Sequence, residues 1–122
     1  MSGTALICDD TAFMRSLIRQ VLAGGGYDVV GEAGSGAEAL RLYEELRPDF
    51  VTMDVVMPNE NGVEIVRRLL AHHPGARIIM ITAVGQESLV EEAMEAGAIE
   101  FVVKPFEPSR LLDAVRHALK KG

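Results

Sequence analysis

A doubly wound α/β domain, with five parallel strands and helices on both faces, is the fold class the sequence predicts, and three observations carry it. Five short apolar runs recur along 122 residues, and each is followed by a segment whose apolar residues fall at helical spacing. Glycine and proline stand where those segments should stop or start. A hydrophobic content of 48% with 25% charged residues suits one globular domain of this length. Strands that alternate with helices pair in parallel through crossovers, and the crossover helices cover both faces of the sheet.

The first strand is Ala5-Leu6-Ile7-Cys8, ending in Asp9-Asp10. Phe13, Met14, Leu17, Ile18, Val21 and Leu22 then trace one face of a helix that Gly24-Gly25-Gly26 closes. Val29, Val30 and Ala33 mark the second strand. Ser35-Gly36-Ala37-Glu38 has capping-box spacing, in which the Ser oxygen and the Glu carboxylate each take a backbone N–H that the first turn leaves unpaired. That helix runs through Leu40 and Tyr43 to about Leu46, and Pro48 stops it. The third strand, Phe50-Val51-Thr52-Met53, runs into Asp54 and a loop with Pro58 and Asn61-Gly62. Val63, Ile65, Val66, Leu69 and Leu70 carry the third helix to about His72-His73-Pro74-Gly75. Arg77 to Thr82 is the most apolar strand, fit for a sheet centre buried on both faces. Leu89, Val90, Ala93 and Met94 carry the fourth helix to Gly97, Phe101-Val102-Val103 is the last strand, and Pro108 opens a final helix with Leu111, Leu112, Val115 and Leu119. Residues 1–122 read as a single domain.

Composition excludes several functions. Twelve basic against eighteen acidic residues give a net charge of −6, which argues against direct nucleic-acid binding. No apolar run reaches the ~18 residues of a membrane span, and Met1-Ser2-Gly3-Thr4 does not open a signal peptide, so a cytoplasmic protein is expected. Cys8 is the sole cysteine and reads as a small core residue. His72, His73 and His117 have no acidic or Cys partner at useful spacing and read as surface residues.

The ends of the strands carry the chemistry. Right-handed crossovers bring all the C-terminal ends to one edge, where the loops of an open parallel sheet line a crevice. The sequence places Asp9 and Asp10 after the first strand, Asp54 after the third, Thr82 after the fourth and Lys104 after the fifth. Three carboxylates this close repel one another unless a cation intervenes, and an all-oxygen acidic cluster suits Mg²⁺. In-line phosphoryl transfer needs little beyond positioning and charge neutralisation. Asp54 can then attack phosphorus to form an acyl phosphate, with Lys104 and Mg²⁺ neutralising its oxygens and the Thr82 hydroxyl donating to one of them. Taken singly each residue has a plainer reading: Asp10 as an N-cap, Asp54 as turn chemistry, Thr82 as a structural hydroxyl and Lys104 as a solvated cation.

Together the motifs Asp9-Asp10, Met53-Asp54, Met57-Pro58-x-x-x-Gly62, Thr82-Ala83 and Lys104-Pro105-Phe106 resemble the receiver domains of two-component response regulators, over essentially the whole chain. Asp10-Thr11-Ala12-Phe13-Met14-Arg15 and Phe106-Glu107-Pro108-Ser109-Arg110 are most similar to the stand-alone chemotaxis regulators of the CheY type. The resemblance implies a flavodoxin-like sheet of order 2-1-3-4-5 and a signalling switch, not an enzyme, that takes phosphate on Asp54 from a sensor histidine kinase. It implies Mg²⁺ held by Asp10, Asp54 and the backbone carbonyl of Val56, with Asp9 acting through water, and a cis peptide before Pro105. It further implies a Thr82–Phe101 switch, a flagellar switch or other target on the fourth helix, last strand and last helix, and a phosphatase as a further partner. Without the resemblance, Phe101 reads as an ordinary strand aromatic. It lacks the hydroxyl of the Tyr found there in well-known chemotaxis regulators, and Val56 and Val84 are apolar where the family flanks its acyl phosphate.

Three other readings stand beside this one. A receiver that passes its phosphate to another histidine, as a phosphorelay intermediate, has the same residues. A phosphatase with an aspartyl nucleophile would carry a second Asp two residues on as general acid, where this chain has Val56. A flavin module of the same fold would need a Ser/Thr- and Gly-rich phosphate loop where Asp9-Asp10 stand.

Overall fold

In chain order the elements are β1 (Thr4–Cys8), α1 (Ala12–Gly24), β2 (Asp28–Ala33), α2 (Gly36–Leu46), β3 (Phe50–Asp54) and a small hairpin of β4 (Val56–Met57) and β5 (Glu60–Asn61). There follow α3 (Gly62–His72), β6 (Ile78–Ala83), α4 (Glu87–Ala96), β7 (Glu100–Lys104) and α5 (Pro108–Lys120). This computed structural model describes residues 3–120, so Met1, Ser2, Lys121 and Gly122, which belong to the expected 1–122 domain, lie outside the described residues. Five strands form one parallel sheet in the order β2-β1-β3-β6-β7, the expected 2-1-3-4-5 once the hairpin is set aside.

Side chains alternate across the sheet and divide the core in two. Leu6, Cys8, Val51, Met53, Ile78 and Met80 face α2, α3 and α4, packing on Tyr43, Val66, Leu69 and Val90. Ala5, Ile7, Phe50, Ile79, Ile81 and Val102 face α1 and α5, packing on Ile18, Leu22, Leu111 and Val115. Both faces of β1, β3 and β6 are covered, which is why their sequences read as nearly unbroken apolar runs. Truncating a buried Leu or Ile here to Ala should cost about 2–5 kcal/mol.

The caps refine the sequence reading. The hydroxyl of Thr11, not Asp10, caps α1 by accepting from the Met14 N–H, which leaves the Asp10 carboxylate free of that role. Ser35 caps α2 as expected, but Glu38 accepts from the Gly34 N–H instead of closing back on Ser35. Asn61 caps α3 through the Val63 N–H. The most apolar strand, β6, lies one residue later than Arg77–Thr82, and the β4–β5 hairpin is too short for its periodicity to show in the sequence.

His73 departs from the surface reading, whereas His72 and His117 are exposed as expected; His73 and His117 do find acidic partners. His73 is only 12% exposed at its side chain, lies against the Tyr43 ring at 4.7 Å and reaches Glu44 at 3.1 Å. His117 pairs with Glu100 across the α5–β7 contact. Both partners are distant in sequence, so spacing alone did not expose them. Cys8 is buried as expected, and burial, with smaller contributions from nearby carboxylates, pushes its thiol up to about 12.

Candidate functional site

The parallel register brings the strand ends to one edge. Cys8 pairs with Met53, Asp54 with Ile81 and Ala83 with Lys104, so the residues that end or follow β1, β3, β6 and β7 share one crevice. One oxygen each of Asp9, Asp10 and Asp54 falls within 4.8 Å of the other two. Lys104 Nζ stands 3.9 Å from Asp9 Oδ2 and 3.8 Å from Asp54 Oδ1. Those separations exceed hydrogen-bond length, so the ammonium balances charge without being bound tightly to either acid. The Lys104–Pro105 peptide is cis.

Asp54 is 6% exposed. Burial is the main force pushing its carboxyl up to about 6; Lys104 and a 3.4 Å bond from the Val56 N–H work against that, and Asp9 and Asp10 reinforce it. Asp9 is 1% exposed, and its Oδ1 accepts from the Thr11 N–H and hydroxyl at 2.9 and 3.1 Å. Its Oδ2 is buried with no hydrogen-bond partner. A buried carboxylate oxygen left this way is costly unless a cation meets it. Three hard oxygen donors around one lysine, beside a thiol that burial keeps protonated, fit a hard divalent cation and not a soft one.

The supporting contacts join residues too far apart in sequence for any local pattern to encode them. Arg15 donates to the Asp9 carbonyl at 2.6 Å and to Glu32 at 3.1 Å, and Arg19 donates to the other oxygen of Glu32 at 2.6 Å. Those guanidiniums, the Arg19 bond foremost, hold the Glu32 carboxyl below its usual range. Glu60, in the hairpin after Asp54, accepts from the Gly36 N–H at the start of α2 at 2.6 Å. A Cβ at Gly62 would lie 2.4 Å from the Asp54 carbonyl oxygen and 2.6 Å from that of Val55, so the turn beneath Asp54 closes only on glycine. The Met57-Pro58-x-x-x-Gly62 motif was the one signal of this.

Thr82 reaches the same edge but does not point its donor at Asp54. Its buried hydroxyl donates to Gln86 Oε1 at 2.9 Å, with a longer 3.3 Å approach to the Ala83 carbonyl. Phe101 is 37% exposed. With Thr82, Val84, Val90, Met94 and Val103 it lines a groove of about 640 Å³ between α4 and β7, bordered by Glu87, Glu91 and Glu95. Asp9, Asp10, Asp54 and Lys104 are thus gathered together, Val56 adjoins them through its N–H, and Thr82 and Phe101 flank the groove.

Residues 5–116 match the response regulator receiver domain family. The chain is 45% identical over 120 residues to the chemotaxis protein CheY of Thermotoga maritima, covering 98% of this chain and all of that one. It is 44% identical over 119 residues to CheY of Bacillus subtilis, covering 98% and 99% of the two chains. Among solved structures it is similar to a putative response regulator from Chloroflexus aurantiacus, with a TM-score of 0.92, 35% identity and coverage of 99% and 100%. The acidic triad is of the kind that holds Mg²⁺ in that family.

Proposed function

The chain belongs to the response regulator receiver domains, and from that premise we propose that Asp54 is the residue phosphorylated, in a single-domain chemotaxis switch. As a CheY-like receiver it is a phospho-acceptor of a two-component system and not an enzyme, and its phosphodonor is a histidine kinase. The observation that carries the assignment to Asp54 is its place at the end of β3, buried, between two acids and one lysine.

In the transfer, an oxygen of ionised Asp54 attacks the phosphorus of a phosphohistidine. The P–N bond breaks, an O–P bond forms, and the imidazole leaves with its electron pair. Asp10, Asp54 and the Val56 carbonyl would hold Mg²⁺, with Asp9 acting through water; the ion supplies positive charge to the transferring oxygens. Lys104, held off both carboxylates, is free to close on the phosphoryl group. It also favours the ionised form that Asp54 must have to attack. Thr82 would donate to a phosphoryl oxygen, and Phe101 would move with it.

The groove between α4 and β7, with the adjoining α5, is the surface we assign to the target, a flagellar switch protein or its equivalent. Its apolar floor and glutamate border favour a segment combining apolar anchors with basic residues. No helix among the described residues is long and apolar enough to cross a membrane. A cytoplasmic location goes with the reading, because kinase phosphohistidine is made from ATP there. Incubation with Mg²⁺ and acetyl phosphate should add one phosphoryl group to the protein by intact mass, and none to Asp54→Asn. Equal modification of the variant would falsify the assignment.

A further inference from the structure

Gln86 stands at the N-cap position of α4, yet its side chain caps nothing in that helix. Its Oε1 turns back and accepts from the Thr82 hydroxyl at 2.9 Å and from the Ala83 N–H at 2.8 Å. Meanwhile its own N–H approaches the Ala83 carbonyl at 3.3 Å and its carbonyl accepts the Val90 N–H inside α4. One residue therefore ties the end of β6 to the first turn of α4. The intervening Gly85 has φ +95, a conformation that lets the loop double back this tightly and that other residues adopt only with strain.

A threonine hydroxyl has one proton to donate. While that proton lies on Gln86 Oε1, Thr82 cannot donate it to a group on Asp54. We infer that Gln86 is a latch that holds Thr82, and with it the start of α4, in the unphosphorylated arrangement. Phosphorylation must break the Thr82–Gln86 bond before Thr82 can donate to the phosphoryl group. The released amide can then cap the first turn of α4, where side-chain acceptors are favoured. Gln86 is a positioning residue: it acts only through Thr82 and the loop, and it opposes the switch. The inference rests on the reading of Asp54 as phospho-acceptor and of Thr82 as its hydrogen-bond donor.

The test is a double-mutant cycle read by beryllium fluoride binding in saturating Mg²⁺, followed by ¹⁵N chemical shifts of full-length protein. A neutral hydrogen bond of ordinary strength sets the scale, so Gln86→Ala should tighten binding by roughly threefold to tenfold. Gln86→Lys, which keeps the long stem but offers no acceptor, should tighten it too. Gln86→Glu keeps the acceptor and should bind no more tightly than the parent. In a Thr82→Ala background, Gln86→Ala should change nothing. The same gain with and without the Thr82 hydroxyl, or no gain in either Gln86→Ala or Gln86→Lys, would overturn the latch. A parent protein that takes up no beryllium fluoride would overturn the phospho-acceptor reading itself.

Discussion

On the β1–β3 side of the crevice, Asp9, Asp10 and Asp54 already stand within a few ångströms of one another, with the Lys104 ammonium reaching Asp9 and Asp54 from β7; Thr11 holds the Asp9 carboxylate, and Arg15 and the tight turn at Gly62 hold the backbone. On the β6–β7 side, Thr82 has its hydroxyl on Gln86 and Phe101 is partly in solvent. Both sides follow from the same strand-end geometry, but only the first is assembled for use. On the function proposed for the site, the difference separates two tasks. Accepting phosphate needs charges fixed in advance, since reorganisation at the moment of transfer would raise the barrier. Reporting phosphate needs an element with two arrangements, so the reporting side must be stable in the wrong one first.

Lys104→Ala removes a cation that approaches both Asp9 and Asp54, and a charged hydrogen bond of normal strength sets the loss at roughly tenfold to a hundredfold in beryllium fluoride affinity. Titration of the variant in Mg²⁺ checks this; parental affinity would mean that Lys104 takes no part. Gly62→Ala forces a methyl group into the Asp54 and Val55 carbonyls and should destabilise the fold by about 2–3 kcal/mol in urea unfolding. A smaller loss would show that the turn under Asp54 can shift.

The charge on Asp54 makes a prediction of opposite sign. Its folded carboxyl is raised from 3.8 to about 6, so between about pH 4 and pH 6 the folded protein holds more protons than the unfolded one. Stability in EDTA therefore falls as pH rises through that window and stays reduced above it. Asp54→Asn removes the buried charge and should stabilise the metal-free protein at pH 7 by on the order of 2 kcal/mol, with the advantage vanishing toward pH 4. Urea unfolding of both proteins at pH 7 and pH 4.5 decides it; a destabilised variant at pH 7 would mean that the site tolerates its carboxylate better than its burial implies. The reporting side should be less sensitive. Phe101→Ala, at a partly exposed edge-strand position, should cost less than about 1 kcal/mol in the same measurement, whatever it does to target binding.

The sequence disclosed the assembled side far more fully than the reporting side, for physical reasons. Asp9, Asp10, Asp54 and Lys104 each adjoin an apolar run, so finding the strands located the acids and the lysine. Their mutual closeness then followed from parallel topology. The direction of the Thr82 hydroxyl did not, because it is a rotamer choice decided by an amide four residues later. Arg15 on Glu32, Glu60 on Gly36 and His73 on Tyr43 join residues distant in sequence, and no local periodicity encodes such pairs. Gly62 lay between these cases: its motif was visible, but the clash that requires glycine appears only once the turn is built.

The most direct test of an assembled side and a withheld side is a crystal structure of the protein with Mg²⁺ and beryllium fluoride on Asp54. Asp9, Asp10 and Lys104 should keep their positions while the Thr82 hydroxyl leaves Gln86 for a fluoride and the first turn of α4 and Phe101 move with it. Beryllium fluoride seated on Asp54 with Thr82 still bonded to Gln86 would contradict it.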